Sequence, residues 1–135
     1  MAVTMTLAYD GELRCTLVHD PSSTRLTTDA PKDNAGRGES FSPTDLVAAA
    51  LVSCAVTTMA IKAPKEGLVL TSATGRVAKD MTSTPPRRIQ KLTIDLDVAA
   101  PAEHRARFEE IARSCPVALS LSPGVEVEMR FHWAT

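Results

Sequence analysis

Apolar and polar residues alternate near both ends of this chain, and one long uncharged run lies between them. Val3, Met5, Leu7 and Tyr9 alternate with Thr4, Thr6 and Ala8; Asp10-Gly11 marks a tight turn; Leu13, Cys15, Leu17 and His19 then alternate again. The pattern predicts a β-hairpin with one face inward. After the turn Asp20-Pro-Ser-Ser23, a short third strand over residues 24–28 is expected, with Leu26 inward. Residues 28–40 carry no period and read as a loop long enough to suggest a functional role. From Leu46 to Ile61 no residue is charged and apolar side chains lie all round a helix, which predicts a central helix buried on nearly every side. Its start is marked by Ser42 as N-cap, Pro43 at the first helical position and Asp45 in capping-box position.

Pro64-Lys-Glu-Gly67 reads as a turn, and residues 68–79 as a strand rich in Val, Thr and small residues. Leu92, Ile94, Leu96 and Val98 alternate with polar residues, the pattern of a half-buried antiparallel strand that pairs with it. Pro101 opens a second helix, whose apolar positions Phe108, Ile111, Ala112 and Cys115 follow i, i+3, i+4, i+7. Pro116 disfavours helical geometry at Cys115, so this helix breaks there and a short one restarts from Pro116 to Leu121 with Cys115 as N-cap. Val125, Val127, Met129, Phe131 and Trp133 alternate with Glu126, Glu128, Arg130 and His132 in a last strand. The order βββ-α-ββ-αα-β predicts an α+β fold, a mainly antiparallel sheet wrapped on a long buried central helix.

Composition narrows the partners. With 135 residues, 44% of them hydrophobic, the chain suits a single domain over 1–135. Fifteen basic against 16 acidic residues, and only 4% aromatic, supply neither a phosphate-tracking surface nor a base-stacking platform, so no nucleic acid is expected. The N-terminal stretch lacks the basic and apolar regions of a signal peptide, which makes the expected localisation cytoplasmic. The uncharged run falls short of the ~20 strongly apolar residues of a membrane span, so a core helix is expected and no membrane. His19, His104 and His132 show no metal-ligand spacing with one another or with the cysteines; no metal or cofactor is assigned.

Three cysteines, an odd count, argue against a structural disulfide framework. Cys15, on the inward phase of a strand, reads as core. Cys115, at the start of a short helix, has its thiolate favoured by free backbone N–H groups. Cys54, about three turns into its helix, is expected to lie deep, where burial raises a thiol's pKa unless a cation reaches it. Lys62 and Arg37 are the nearest cations in sequence, and Arg14 and Arg25 can approach through the fold. The plain alternative is that all three thiols are small core hydrophobes.

Ser42-Pro-Thr-Asp-Leu-Val-Ala-Ala-Ala-Leu-Val-Ser-Cys54, followed later by Ser114-Cys-Pro-Val117, resembles the OsmC/Ohr family of thiol-dependent peroxidases. The resemblance implies an intertwined α+β homodimer with active sites at the subunit interface, reducing organic hydroperoxides at the expense of an external dithiol. It implies that Cys54 is the peroxidatic cysteine and Cys115 the resolving one. Members of that family use an arginine held by a glutamate ten residues before the first cysteine. Here that position is Thr44, and the nearest carboxylate is Asp45. Arg37 is the first choice for the arginine and Arg14 the second. The departure at Thr44 motivates an alternative from another class, a non-enzymatic or redox-sensing binding module that holds an apolar small molecule. A purely structural homodimer is a third reading.

Overall fold

A computed structural model describes residues 1–134. Its strands are β1 (Met5–Gly11), β2 (Arg14–His19), β3 (Thr24–Asp29), β4 (Ser72–Met81), β5 (Ile89–Ala99) and β6 (Glu126–Trp133). Its helices are α1 (Pro43–Lys65), α2 (Arg105–Arg113) and α3 (Pro116–Ser120), with short 3₁₀ turns at Lys32–Asn34 and Ala102–His104. The predicted order of strands and α-helices is the order found, and the fold is α+β. Its strands form two three-stranded sheets, one in each of two compact units, Met1–Leu46 and the chain from Val47 on.

In the first unit β1, β2 and β3 form an antiparallel meander, with Leu7 opposite Leu17 and Leu17 opposite Leu26. The predicted phase is therefore right, but the expectation that this face turns inward is not met. Met5, Leu7 and Tyr9 are 62%, 58% and 62% exposed. Alternation sets which residues share a face; it does not say what covers that face. The aperiodic segment after β3 is tied down by its backbone. The Asp29 N–H donates to the Phe41 carbonyl (3.0 Å), the Ala30 N–H to the Leu13 carbonyl (3.1 Å), and the Ser40 hydroxyl to the Thr27 carbonyl (2.9 Å). The start of α1 closes as predicted: the Asp45 N–H donates to Ser42 Oγ (3.1 Å) and the Ser42 N–H to Asp45 Oδ2 (2.9 Å).

In the second unit β5 is central. It pairs antiparallel with β4 and parallel with β6, so one edge of the sheet departs from the antiparallel expectation. Parallel strands need a long crossover, and α2 and α3 supply it. Leu92, Ile94, Leu96 and Val98 are buried, and they cluster with Phe108, Ile111 and Ala112 of α2 and with a stripe of α1. That stripe is Ala48, Leu51, Ala55, Met59 and Ala63. Only this face of α1 is buried, which corrects the expectation of burial all round: Ala50, Ser53, Thr57, Ala60 and Ile61 are exposed. One sheet can cover one face of a helix, and an uncharged sequence does not supply a second.

α1 also runs on to Lys65, into the residues expected to form a turn, with Pro64 inside its last turn. It ends where Gly67 takes a left-handed conformation (φ +68°) and the Leu68 N–H donates to the Ala63 carbonyl at 2.8 Å. That closure consumes Leu68 and delays β4 to Ser72. At 23 residues α1 is long and apolar enough to cross a membrane by length and composition; here its buried stripe packs in the core of the second unit.

Candidate active site

Cys54 lies mid-way along α1 and Cys115 in the break between α2 and α3. Pro116 forces that break. Cys115 is extended (φ −66°, ψ 155°) and is the N-cap of α3, as the sequence predicted, its carbonyl accepting the Leu119 N–H at 3.0 Å. Cys115 lies inward as expected, but Cys54 is shallower than the sequence suggested. Cys115 is fully buried, whereas Cys54 is half-buried. The polar residues Ser53 and Thr57 share the open side of α1 with Ala50 and Ala60, and they leave the middle of the helix partly uncovered.

The two thiols interact, and their surroundings pull them apart. Burial by itself raises the Cys54 thiol, but the Val117 N–H, the Thr58 hydroxyl 3.7 Å away and the Cys115 thiol all favour its ionised form, and together they hold it below the ordinary cysteine value. Burial pushes the Cys115 thiol up. The Ala118 and Val117 N–H groups oppose this, while the neighbouring Cys54 reinforces it, and the outcome is a raised value. Both expectations are thus inverted: Cys54 is the lowered thiol although none of these donors is a cation, and Cys115 is raised despite its helix-start position. Chemically, Cys54 is the thiol of the pair that ionises first, and Cys115 is the one that holds its proton longer. Cys15, half-buried on β2, sits opposite Tyr9 and Thr28.

The remaining candidates belong to the first unit. Arg14 forms two parallel bonds to the buried Asp29, Nε to Oδ1 at 2.7 Å and Nη2 to Oδ2 at 2.8 Å, and its Nη2 also reaches Glu39 at 3.2 Å. These bonds hold the Asp29 carboxyl below its usual range and push the Arg14 guanidinium further up. The Glu39 N–H donates to Asp29 Oδ2 at 3.1 Å, which fixes the clamp to the loop. Arg37 pairs with Glu12 and lies 3.9 Å from Glu39, so the two candidate arginines share one carboxylate. Arg37 is 46% exposed against 30% for Arg14 and lacks a buried partner carboxylate of the Asp29 kind. Thr44 Oγ1 lies 3.3 Å from Ser42 Oγ, and Asp45 serves the cap.

Four participants escaped the sequence reading: Asp29, Glu39, Thr58 and the Val117 N–H. Thr58 was findable, because i and i+4 share a helix face. Asp29 needed the strand register, which sets it directly across from Arg14. Among the described residues no cluster of three or more His, Cys, Asp or Glu is placed to hold a metal ion.

Two thiols tuned in opposite directions lie on an α+β scaffold whose long helix carries the lowered one. The chain belongs to the OsmC-like protein family, whose pattern matches residues 36–130. A crystal structure from Psychrobacter arcticus 273-4, described as a candidate osmotic stress induced and detoxification response protein, is 35% identical, with 98% of this chain and 97% of that one covered and a TM-score of 0.88. The organic hydroperoxide resistance protein OsmC from Legionella pneumophila shares the fold at 16% identity, with 98% and 97% covered and a TM-score of 0.76. An organic hydroperoxide resistance protein from Elizabethkingia anophelis does so at 14%, with 99% and 97% covered and a TM-score of 0.76. A comparison with curated protein sequences finds no match.

Proposed function

We propose that the chain is a thiol-dependent peroxidase that reduces organic hydroperoxides. The observation that carries this reading is the opposed tuning of the interacting pair, Cys54 lowered and Cys115 raised. The Cys54 thiolate attacks the terminal peroxide oxygen; the O–O bond breaks, the alcohol leaves with a proton, and Cys54 becomes a sulfenic acid. The Cys115 thiol then condenses with it, forming a disulfide and releasing water. An external dithiol supplies the two electrons that restore both thiols. A resolving thiol is most useful when it stays protonated until the sulfenic acid forms, because two adjacent thiolates repel each other.

The reading assigns polarisation of the peroxide to a cation, and Arg14 is the better choice than Arg37, because a bidentate clamp on a buried carboxylate fixes its plane. Asp29 and Glu39 then take the place of the family glutamate, and Thr44 needs no charge. The uncovered apolar face of β1–β3 and the open face of α1 support a homodimer in which a second copy buries them. Stopped-flow mixing with cumene or fatty-acid hydroperoxide tests the cycle: Cys54→Ser is expected to be inert, and Cys115→Ser to react once and stall as the sulfenic acid. Absence of Cys54-dependent turnover with every dithiol tried overturns the proposal.

A further inference from the structure

One hydroxyl beside the Cys54 sulfur takes part in no step of the proposed cycle. Thr58 lies one helical turn beyond Cys54, on the same side of α1, and its Oγ1 is 3.7 Å from the Cys54 sulfur. A threonine inside a helix commonly turns its hydroxyl toward the carbonyl four residues back. Here the group four residues back that it meets is a sulfur. The Val117 N–H, from the neighbouring α3, also favours the ionised form of Cys54. Both can donate to a thiolate, and neither brings a charge that salt would screen.

We propose that Thr58 is a positioning residue for Cys54: its hydroxyl donates to the Cys54 thiolate and, with the Val117 N–H, fixes the sulfur between α1 and α3, so that part of the activation comes from the cysteine's own helix. This rests on the reading of Cys54 as the nucleophile. It accounts for a lowered thiol in surroundings whose favourable contributors are uncharged donors. Val117 cannot be varied for its N–H without disturbing α3, whereas Thr58 can be changed by single atoms. Valine keeps its shape and removes the donor; serine keeps the donor and removes a methyl.

The test is iodoacetamide alkylation followed across pH, with the modification read at the Cys54 peptide by mass spectrometry and the other cysteines in place. Thr58→Val is expected to move the inflection upward and slow Cys54 alkylation below it about tenfold, the effect of one lost charge-assisted hydrogen bond. Thr58→Ser is expected to follow the parent profile, and the parent profile to shift little with added salt. Thr58→Ala is a second donor-free variant should the valine protein fail to fold. A donor-free profile that coincides with the parent, or a serine profile displaced as far as the valine one, overturns the proposal. Alkylation needs no peroxide, so a protein inert toward hydroperoxides would sink the peroxidase reading while still reporting on Thr58.

Discussion

Leu51→Ala removes carbon from the stripe that seats the Cys54 helix, and its cost can be worked from the packing. Leu51 is wholly buried, and its stripe neighbours at one turn on either side are alanines, Ala48 and Ala55. Deleting its outer carbons forfeits roughly 2 kcal/mol of transfer free energy, at about 0.8 kcal/mol for each buried methylene. The alanine methyls have no rotatable chain with which to close the gap, so a cavity term adds to it, and the expected loss is about 3–5 kcal/mol. Urea unfolding followed by circular dichroism, at one fixed protomer concentration and with an unchanged m-value, measures this. A loss under about 1 kcal/mol refutes the reasoning, because it would place Leu51 among ordinary surface substitutions. The same variant should slow Cys54 alkylation, since Cys54 stands on the next turn and its alignment with Val117 depends on where α1 sits. Lost stability with an unchanged alkylation profile would separate the thiol's surroundings from the stripe.

Stability should pass through a maximum near the ordinary thiol value of 9.0. Below it, Cys54 is ionised in the folded chain before the unfolded one, so its stabilisation grows with pH and is lost as pH falls through the folded value. Above it, Cys115 keeps a proton that the unfolded chain has released, so stability declines toward its raised folded value. Urea midpoints from neutral to alkaline pH should show the decline vanish in Cys115→Ser and the rise vanish in Cys54→Ser; a parent curve that falls throughout contradicts the opposed tuning. Gly75→Ala should cost about 1–3 kcal/mol in the same assay, since a Cβ there would lie 2.7 Å from Leu96 Cδ2 and 2.8 Å from the Asp95 carbonyl oxygen; a neutral result shows that β4 and β5 yield at that point. Arg14→Gln should reduce turnover with hydroperoxide far more than Arg37→Gln, and the reverse ranking in steady-state assays would return the role to the loop arginine.

What the sequence disclosed was local. Ser42, Pro43 and Asp45 announce the start of α1 because a cap is built from residues three apart, and Pro116 announces the N-cap at Cys115 because a proline restricts its immediate predecessor. What it concealed depends on partners distant in the chain. Val3, Met5, Leu7 and Tyr9 share a phase whether or not anything covers them. Alternation in β6 is the same for parallel and antiparallel pairing. Leu68 looked like the first residue of a strand because nothing in its identity tells that its N–H closes the preceding helix. The two candidate cysteines stood out in the sequence, but their electrostatics did not: helix position suggested that Cys115 would be the easier to ionise, whereas full burial and a neighbouring sulfur outweigh a helix start. Arg14 stood second to Arg37 on proximity in sequence, and its clamp on Asp29 was hidden because it depends on an antiparallel register.

The parallel pairing of β5 with β6 also sets a timetable. The antiparallel pair β4–β5 can close through a short connection as soon as both strands exist, but β6 docks only after the whole α2–α3 segment has been made and folded back, a contact of long sequence separation that forms late and slowly. Cys115 rides on that segment. A nascent chain is therefore expected to present Cys15 and Cys54 to its surroundings before Cys115 arrives, and the proposed two-cysteine site is expected to assemble late. Oxidants met during synthesis would find a half-built site, so refolding yield under peroxide should depend on how quickly the crossover closes.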